Sequence, residues 1–174
     1  MDAPGELGLV QRFVNTADLD AGTDRLADEP GLEGWLAEAG IAATVGPGDR
    51  ERVVAVREGL RALLLANHGG APDPAAIAAL DRAAGDAPIV VAFDPNGAAT
   101  LAPSRPGVDG ALATLLAIVA SAQAGGTWPR LKACPNDRCQ WAFYDRSRNR
   151  SRTWCAMSVC GNRAKARSYR ARHR

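Results

Sequence analysis

The sequence predicts a mainly α-helical protein with one small β-hairpin, a helical N-terminal domain followed by a compact cysteine-rich module. Three observations carry this reading. Apolar residues recur at helical spacing through most of the first 124 positions. The period changes once, to two short β-rich runs flanking Asp94-Pro95-Asn96-Gly97, a combination that favours a tight turn. All four cysteines, and six of the nine aromatic residues, fall after residue 127.

The elements follow in order. Leu9, Val10, Phe13 and Val14 mark an amphipathic helix between Glu6 and Thr16. Leu32, Trp35, Leu36 and Ala39 mark a second, shorter one, with Gly40 as its left-handed C-terminal cap. After the Gly46-Pro47-Gly48 break, Asp49 is expected to cap a long third helix running towards Asn67, its buried side formed by Val53, Val56, Leu60, Leu63 and Leu64. Asp73-Pro74 is a helix-start pair for a fourth helix through Ala84. Residues 89–93 and 98–102 read as the hairpin strands. Leu112, Leu115, Leu116 and Val119 restore the helical period from Asp109 to Ala124, where Gly125-Gly126 stops it. The domain boundary is placed at residues 127 and 128.

Charge divides at the same point. The overall formal charge of +2 hides a body, residues 1–127, with 17 acidic and 8 basic residues, and a tail, residues 128–174, with 2 acidic and 13 basic. An acidic body with a basic, aromatic-rich tail suggests a folded segment that seeks polyanions. The N-terminus lacks a basic start and apolar core, so no signal peptide is expected. No apolar run approaches the roughly 20 residues that span a bilayer. A cytoplasmic protein with no membrane partner is the expectation, and in that compartment paired cysteines suggest metal before disulfides.

The cysteines stand as Cys134-Pro-Asn-Asp-Arg-Cys139 and Cys155-Ala-Met-Ser-Val-Cys160. Two C-x4-C pairs with a hairpin-sized insert can each give two sulfurs to one tetrahedral ion, so one structural Zn2+ per chain is predicted. Disulfides or free core thiols are the alternative. Trp141-Ala-Phe143-Tyr144 reads as a strand, Thr153-Trp154 as its returning partner, and Cys160 as the opening of a terminal helix. A knuckle, a hairpin and a ligand-bearing helix give a treble-clef-like zinc finger with four cysteine ligands. Four thiolates would leave no open coordination position, and no nucleophile–base set or phosphate-binding glycine loop accompanies them, so no enzyme is predicted. His68 and His173 carry no ligand spacing.

Two basic surfaces flank the second pair. Arg146, Arg148, Arg150 and Arg152 would share one face if extended. Arg163, Arg167, Arg170 and Arg174 form a single stripe on a helix, with Lys165 and Arg172 beside it and Ala166 and Tyr169 turned towards the hairpin. Arginine spaced by Ser and Asn suits phosphate contact. The alternative is a solvated face docked on the acidic body, which could also shield the tail in an inactive state.

The string Cys160-Gly161-Asn162-Arg163, with Trp154 before it and Cys139-x-Trp141-x-Phe143-x-Asp145-x-Ser147-Arg148-Asn149 upstream, resembles the CGNR zinc-finger family. Phe13-Val14-Asn15-Thr16, with Arg57, Glu58 and Leu60, resembles the helical ABATE domain that precedes that finger in family members. The resemblance implies a bacterial transcription regulator, stress-induced by description, that binds duplex DNA. It supports the four zinc ligands and singles out Asn162 as a cap or brace of the ligand turn and Gly161 as allowing a close approach there, with base contact the alternative for both. Asn15 and Thr16 read either as a simple helix end or, with Arg57 or Arg61 to meet an anion, as candidates for a small-molecule effector pocket. Arg57 and Arg61, four apart, otherwise read as one solvated helix edge, and the body is a candidate for homodimer formation. RNA binding and a protein-interaction role for the basic tail are the alternative functions.

Overall fold

The computed structural model describes residues 2–173. The candidate contact at Arg174 lies outside the described residues. The chain forms α1 (Leu7–Val14), β1 (Ala17–Asp18), β2 (Thr23–Asp24), α2 (Glu29–Glu38), α3 (Asp49–Ala66), α4 (Pro74–Asp86), β3 (Ile89–Phe93), β4 (Ala99–Pro103) and α5 (Gly107–Ala124). A 3-10 turn (Trp128–Arg130), β5 (Leu131–Ala133), β6 (Ala142–Tyr144), a π-turn (Met157–Gly161) and α6 (Asn162–Arg172) follow. The strands make three separate two-stranded antiparallel sheets.

Local chemistry explains the helix ends. The Asp28 carboxylate accepts from the Gly31 amide, and Asp73 accepts from Ala75 with Pro74 at the first helical position. Gly40, at φ +75°, closes α2 with the amide of Ile41 bonded back to the Leu36 carbonyl, as expected of a left-handed cap. Asp49 differs from expectation. The cap of α3 is Gly48, and Asp49 sits inside the first turn, where its carboxylate accepts from the Gly46 amide and pairs with Arg52.

The core is one cluster built on α1, α2, α3 and α5. Phe13 and Trp35 meet at 4.9 Å between ring centroids, with Val10, Leu32, Val56, Leu60, Leu112 and Leu115 around them. Helix α5 is long and apolar enough to cross a bilayer by length and composition. Ten of its residues are buried among the other elements, however, which makes it the central core helix. The β3–β4 hairpin covers one side of α5 and leaves Val91 and Phe93 more than half exposed.

One structural feature cuts across the division at residue 127. Leu131, Ala133, Ala142 and Tyr144 belong to the same core as the body helices. Lys132 and Phe143, paired in register between them, point to the opposite side. There Phe143 packs with Cys134, Cys139 and Cys160 in a second cluster. Alternation along a strand sends successive side chains to opposite faces, so the β5–β6 hairpin gives one face to each hydrophobic centre. The partner of β6 is thus the strand before the first cysteine pair. Thr153-Trp154, expected to return beside it, is irregular.

Candidate metal centre and basic surface

The knuckle Cys134–Cys139 sits at the tip of the β5–β6 hairpin; Cys155, just before the π-turn, and Cys160, within it, reach the knuckle. The four Sγ atoms lie within 4.8 Å of one another. Cys139 and Cys155 are 3.5 Å apart at sulfur, and Cys155 and Cys160 are 3.7 Å apart. These separations are far too long for a disulfide, and all four cysteines are free. A tetrahedron with zinc–sulfur bonds of about 2.3 Å has edges of about 3.8 Å, so these two separations match a zinc site and all four sulfurs lie within reach of one ion.

The electrostatics point the same way. Burial pushes the Cys139 thiol up to about 11, and burial also raises Cys155, so neither would ionise near neutral pH without a cation between them. Burial opposes ionisation of Cys160 too, but the Asn136 side chain, 3.6 Å from its sulfur, helps to hold its pKa below the usual value. The donor set is closed and all-sulfur, suited to a structural ion. Asn162 donates to the Ser158 carbonyl and braces the turn that carries Cys160. At Gly161 a Cβ would run into the Met157 sulfur, which explains the glycine by close approach.

The arginine-rich insert takes a different shape from the extended strand that its alternation suggests. Asp145, fully buried, accepts from the Ser147 amide and hydroxyl and from the Arg152 amide. Lys132, also buried, bonds Asp145 at 2.9 Å and the carbonyls of Arg150 and Arg152. Burial disfavours the Asp145 carboxylate, yet hydrogen bonds from Ser147, Lys132 and Arg152 hold it down at about 2. The insert is therefore a turn wound around one carboxylate. Arg146, Arg148 and Arg150 project from it exposed, with Arg146 reaching the Asp2 carbonyl. Arg152 is no exposed contact. Half-buried, it lies 5.0 Å from the Phe143 ring centroid and donates to the carbonyls of Trp154 and Cys155.

On α6 no side chain is buried. Lys165, Arg167, Arg170 and Arg172 are exposed, and Arg163 pairs with Asp20 of the body at 2.8 Å. Tyr169, expected to turn towards the hairpin, is 59% exposed and stacks on His173 instead. Ala166 is exposed as well.

The effector pocket expected at Asn15, Thr16, Arg57 and Arg61 is replaced by a set of staples. Asn15 grips β6 as a neighbouring strand would, accepting from the Ala142 amide at 2.7 Å and donating to its carbonyl at 3.0 Å. Thr16 donates to Phe13 and accepts from Arg57. Arg57, 4% exposed at its side chain, makes a two-pronged pair with Asp24 and bonds Glu58. Arg61 is fully buried and joins Glu58, the Val14 carbonyl and the Gln140 carbonyl of the knuckle. These groups spend their hydrogen bonds on fastening α1, α3 and the finger together, and none lines the principal clefts. Arg57 is therefore not the solvated helix edge that the sequence suggests. On the other side of the hairpin, Asn67 donates to the Trp128 and Leu131 carbonyls, and His68 bonds the Ala133 carbonyl at 2.7 Å. Sequence reasoning misses this second clamp. The adjacent polar pair just past the end of α3 is the one signal of it.

A helical body fused through a shared hairpin to a closed four-thiolate site defines a structural zinc-finger protein. Residues 7–126 match the ABATE family, described as "Putative stress-induced transcription regulator", and residues 130–173 match the CGNR zinc finger. The chain belongs to the ABATE family and binds zinc through a C-terminal finger of CGNR type. Among curated proteins no match is found.

Proposed function

We propose that the protein is a cytoplasmic, non-catalytic transcription regulator that binds duplex DNA through its zinc module. One observation carries the reading: the module offers Arg146, Arg148, Arg150, Lys165, Arg167, Arg170 and Arg172 to solvent together on a zinc-braced frame. The loop arginines are suited to phosphates. The exposed α6 is suited to a groove, where its cations would meet base edges and the phosphates that flank them. Each phosphate contact releases condensed counterions and contributes about −0.9 to the slope of log affinity against log salt. We expect about four to six such contacts per module.

The test is fluorescence anisotropy of zinc-loaded protein with duplex DNA, single-stranded DNA and RNA across a salt series. Preferred duplex binding with a steep salt slope supports the reading. Preference for single strands or RNA would replace it with an RNA-binding role, and absence of nucleic-acid binding would remove it. Self-association of the body belongs to the same proposal, and sedimentation velocity decides it.

A further inference from the structure

Helix α6 and the zinc knuckle face each other across an open cleft of about 770 Å³, lined by Arg138, Arg163, Arg167, Arg170, Asn136 and Asp20 among others. Arg138 is not a candidate from sequence. It stands between the ligands Cys134 and Cys139, while the other three arginines repeat along one face of α6. Four arginines thus line one cleft with a single carboxylate.

That carboxylate comes from the body. Asp20 sits at the tip of the β1–β2 turn, where Asp18 accepts from the amides of Asp20 and Ala21. The turn is anchored at its base, because Asp24 of β2 is held by the buried Arg57 of α3. So placed, Asp20 meets Arg163 at 2.8 and 3.0 Å. It satisfies that guanidinium alone. Among the described residues, the Arg138 and Arg167 side chains have no hydrogen-bond partner, and Arg170 bonds only a carbonyl of its own helix.

We propose that this cleft is a phosphate-binding site and that Asp20 is its built-in competitor, an internal anion that a phosphate group displaces. The proposal rests on the nucleic-acid reading for the identity of the macromolecule, but the site itself recognises phosphate. Guanidinium forks match phosphate oxygens, and a phosphate can take donors from several arginines at once where one carboxylate reaches only Arg163. The Asp20–Arg163 pair is exposed on both sides, so its hold is weak enough to be displaced. Asn136 lines the cleft and contacts the Cys160 sulfur, which makes the shape of the cleft depend on the assembled zinc site.

The test uses full-length, zinc-loaded protein and two probes. Inorganic phosphate is titrated while the arginine Nε–Hε NMR signals are followed, and duplex DNA binding is measured by anisotropy. Saturable shifts are expected at Arg138, Arg163 and Arg167, with Arg148 unmoved. Asp20→Asn should tighten phosphate binding by about twofold to fivefold, the scale of an exposed ion pair. Arg138→Ala should weaken it by a similar factor, and both variants should shift DNA affinity in the same directions. Phosphate shifts spread evenly over all arginines, or unaltered by Asp20→Asn and Arg138→Ala, would overturn the site. DNA binding that ignores both substitutions would overturn the cleft as a contact of the duplex while leaving the nucleic-acid reading intact. Saturable phosphate binding with no affinity for DNA would keep the cleft, assign it to a free phosphate compound, and remove the duplex.

Discussion

Arg57 and Arg61 in the helical body, and Arg148 and Arg167 in the finger, are the same residue under opposite conditions. The first two are buried and saturated by carboxylates and carbonyls. The second two are exposed, with no side-chain partner among the described residues. The boundary between these conditions does not follow the domain boundary. Lys132 and Arg152 lie within the basic tail yet are tied into the fold of the insert, and Arg163 reaches back to the body. Charge per segment therefore overstates the cations free to meet a ligand. Burial and pairing separate the structural set from the available set.

Removing zinc should give the largest effect. Structural zinc sites contribute on the order of 10 kcal/mol to folding. Because β5 and β6 supply part of the body core, the loss should reach past the finger. Chelation, or Cys155→Ser, should abolish the environment of Trp141 and Trp154 seen by near-ultraviolet circular dichroism and also lower the melting temperature of the helices. A body that melts unchanged would mean that the two centres are independent.

Arg61→Met should follow, at about 3 kcal/mol, since it strips the donors from the buried Val14 carbonyl and the half-buried Gln140 carbonyl and a partner from Glu58. Urea denaturation measures it. A change below about 0.5 kcal/mol, as for an ordinary surface position, would break the distinction between the two arginine sets.

Asp145→Asn should cost about 2 kcal/mol. The folded carboxyl is held at about 2, below its ordinary value, and each tenfold weakening of proton affinity on folding corresponds to about 1.4 kcal/mol. A depressed carboxyl stabilises the fold fully above its unfolded pKa of about 4 and loses that contribution as pH falls towards 2. The difference between wild type and variant should thus be constant from pH 8 to pH 5 in urea titrations. A difference that disappears by pH 6 would contradict it.

The smallest effect on stability is expected from Arg148→Ala and Arg150→Ala, each within about 0.5 kcal/mol. Each should nevertheless flatten the salt slope of DNA binding by about one unit. Variants that bind with an unchanged slope would take these two residues out of the available set.

The sequence announces what local pattern can announce. Helical periodicity locates α1 to α5 within a few residues, the Asp94–Gly97 turn locates β3 and β4, and paired spacing locates the four sulfurs. What stays hidden depends on long-range hydrogen bonds, which leave no period. Asn15 looks like a helix end until Ala142 lies beside it. Arg61 looks like a solvated edge until Gln140 covers it. Asp145 looks like one of two stray acids in a basic tail, and it is the post around which the arginine turn is wound. The pairing of β5 with β6 is hidden because a three-residue strand is too short to show alternation.

The shared hairpin also sets how freely the finger can reorient. Many DNA-binding modules hang from their bodies on a linker, and the linker's length then fixes how far they can search. Here three residues of each strand are clamped between Asn15 on one edge and Asn67 with His68 on the other, and the reverse face is core. The finger is thus a limb joined to the body by a shared hairpin, with no linker between them. Two such limbs held by associated bodies would present α6 at one separation and one angle, so paired DNA sites would be accepted at a single spacing and refused when a few base pairs are inserted between them.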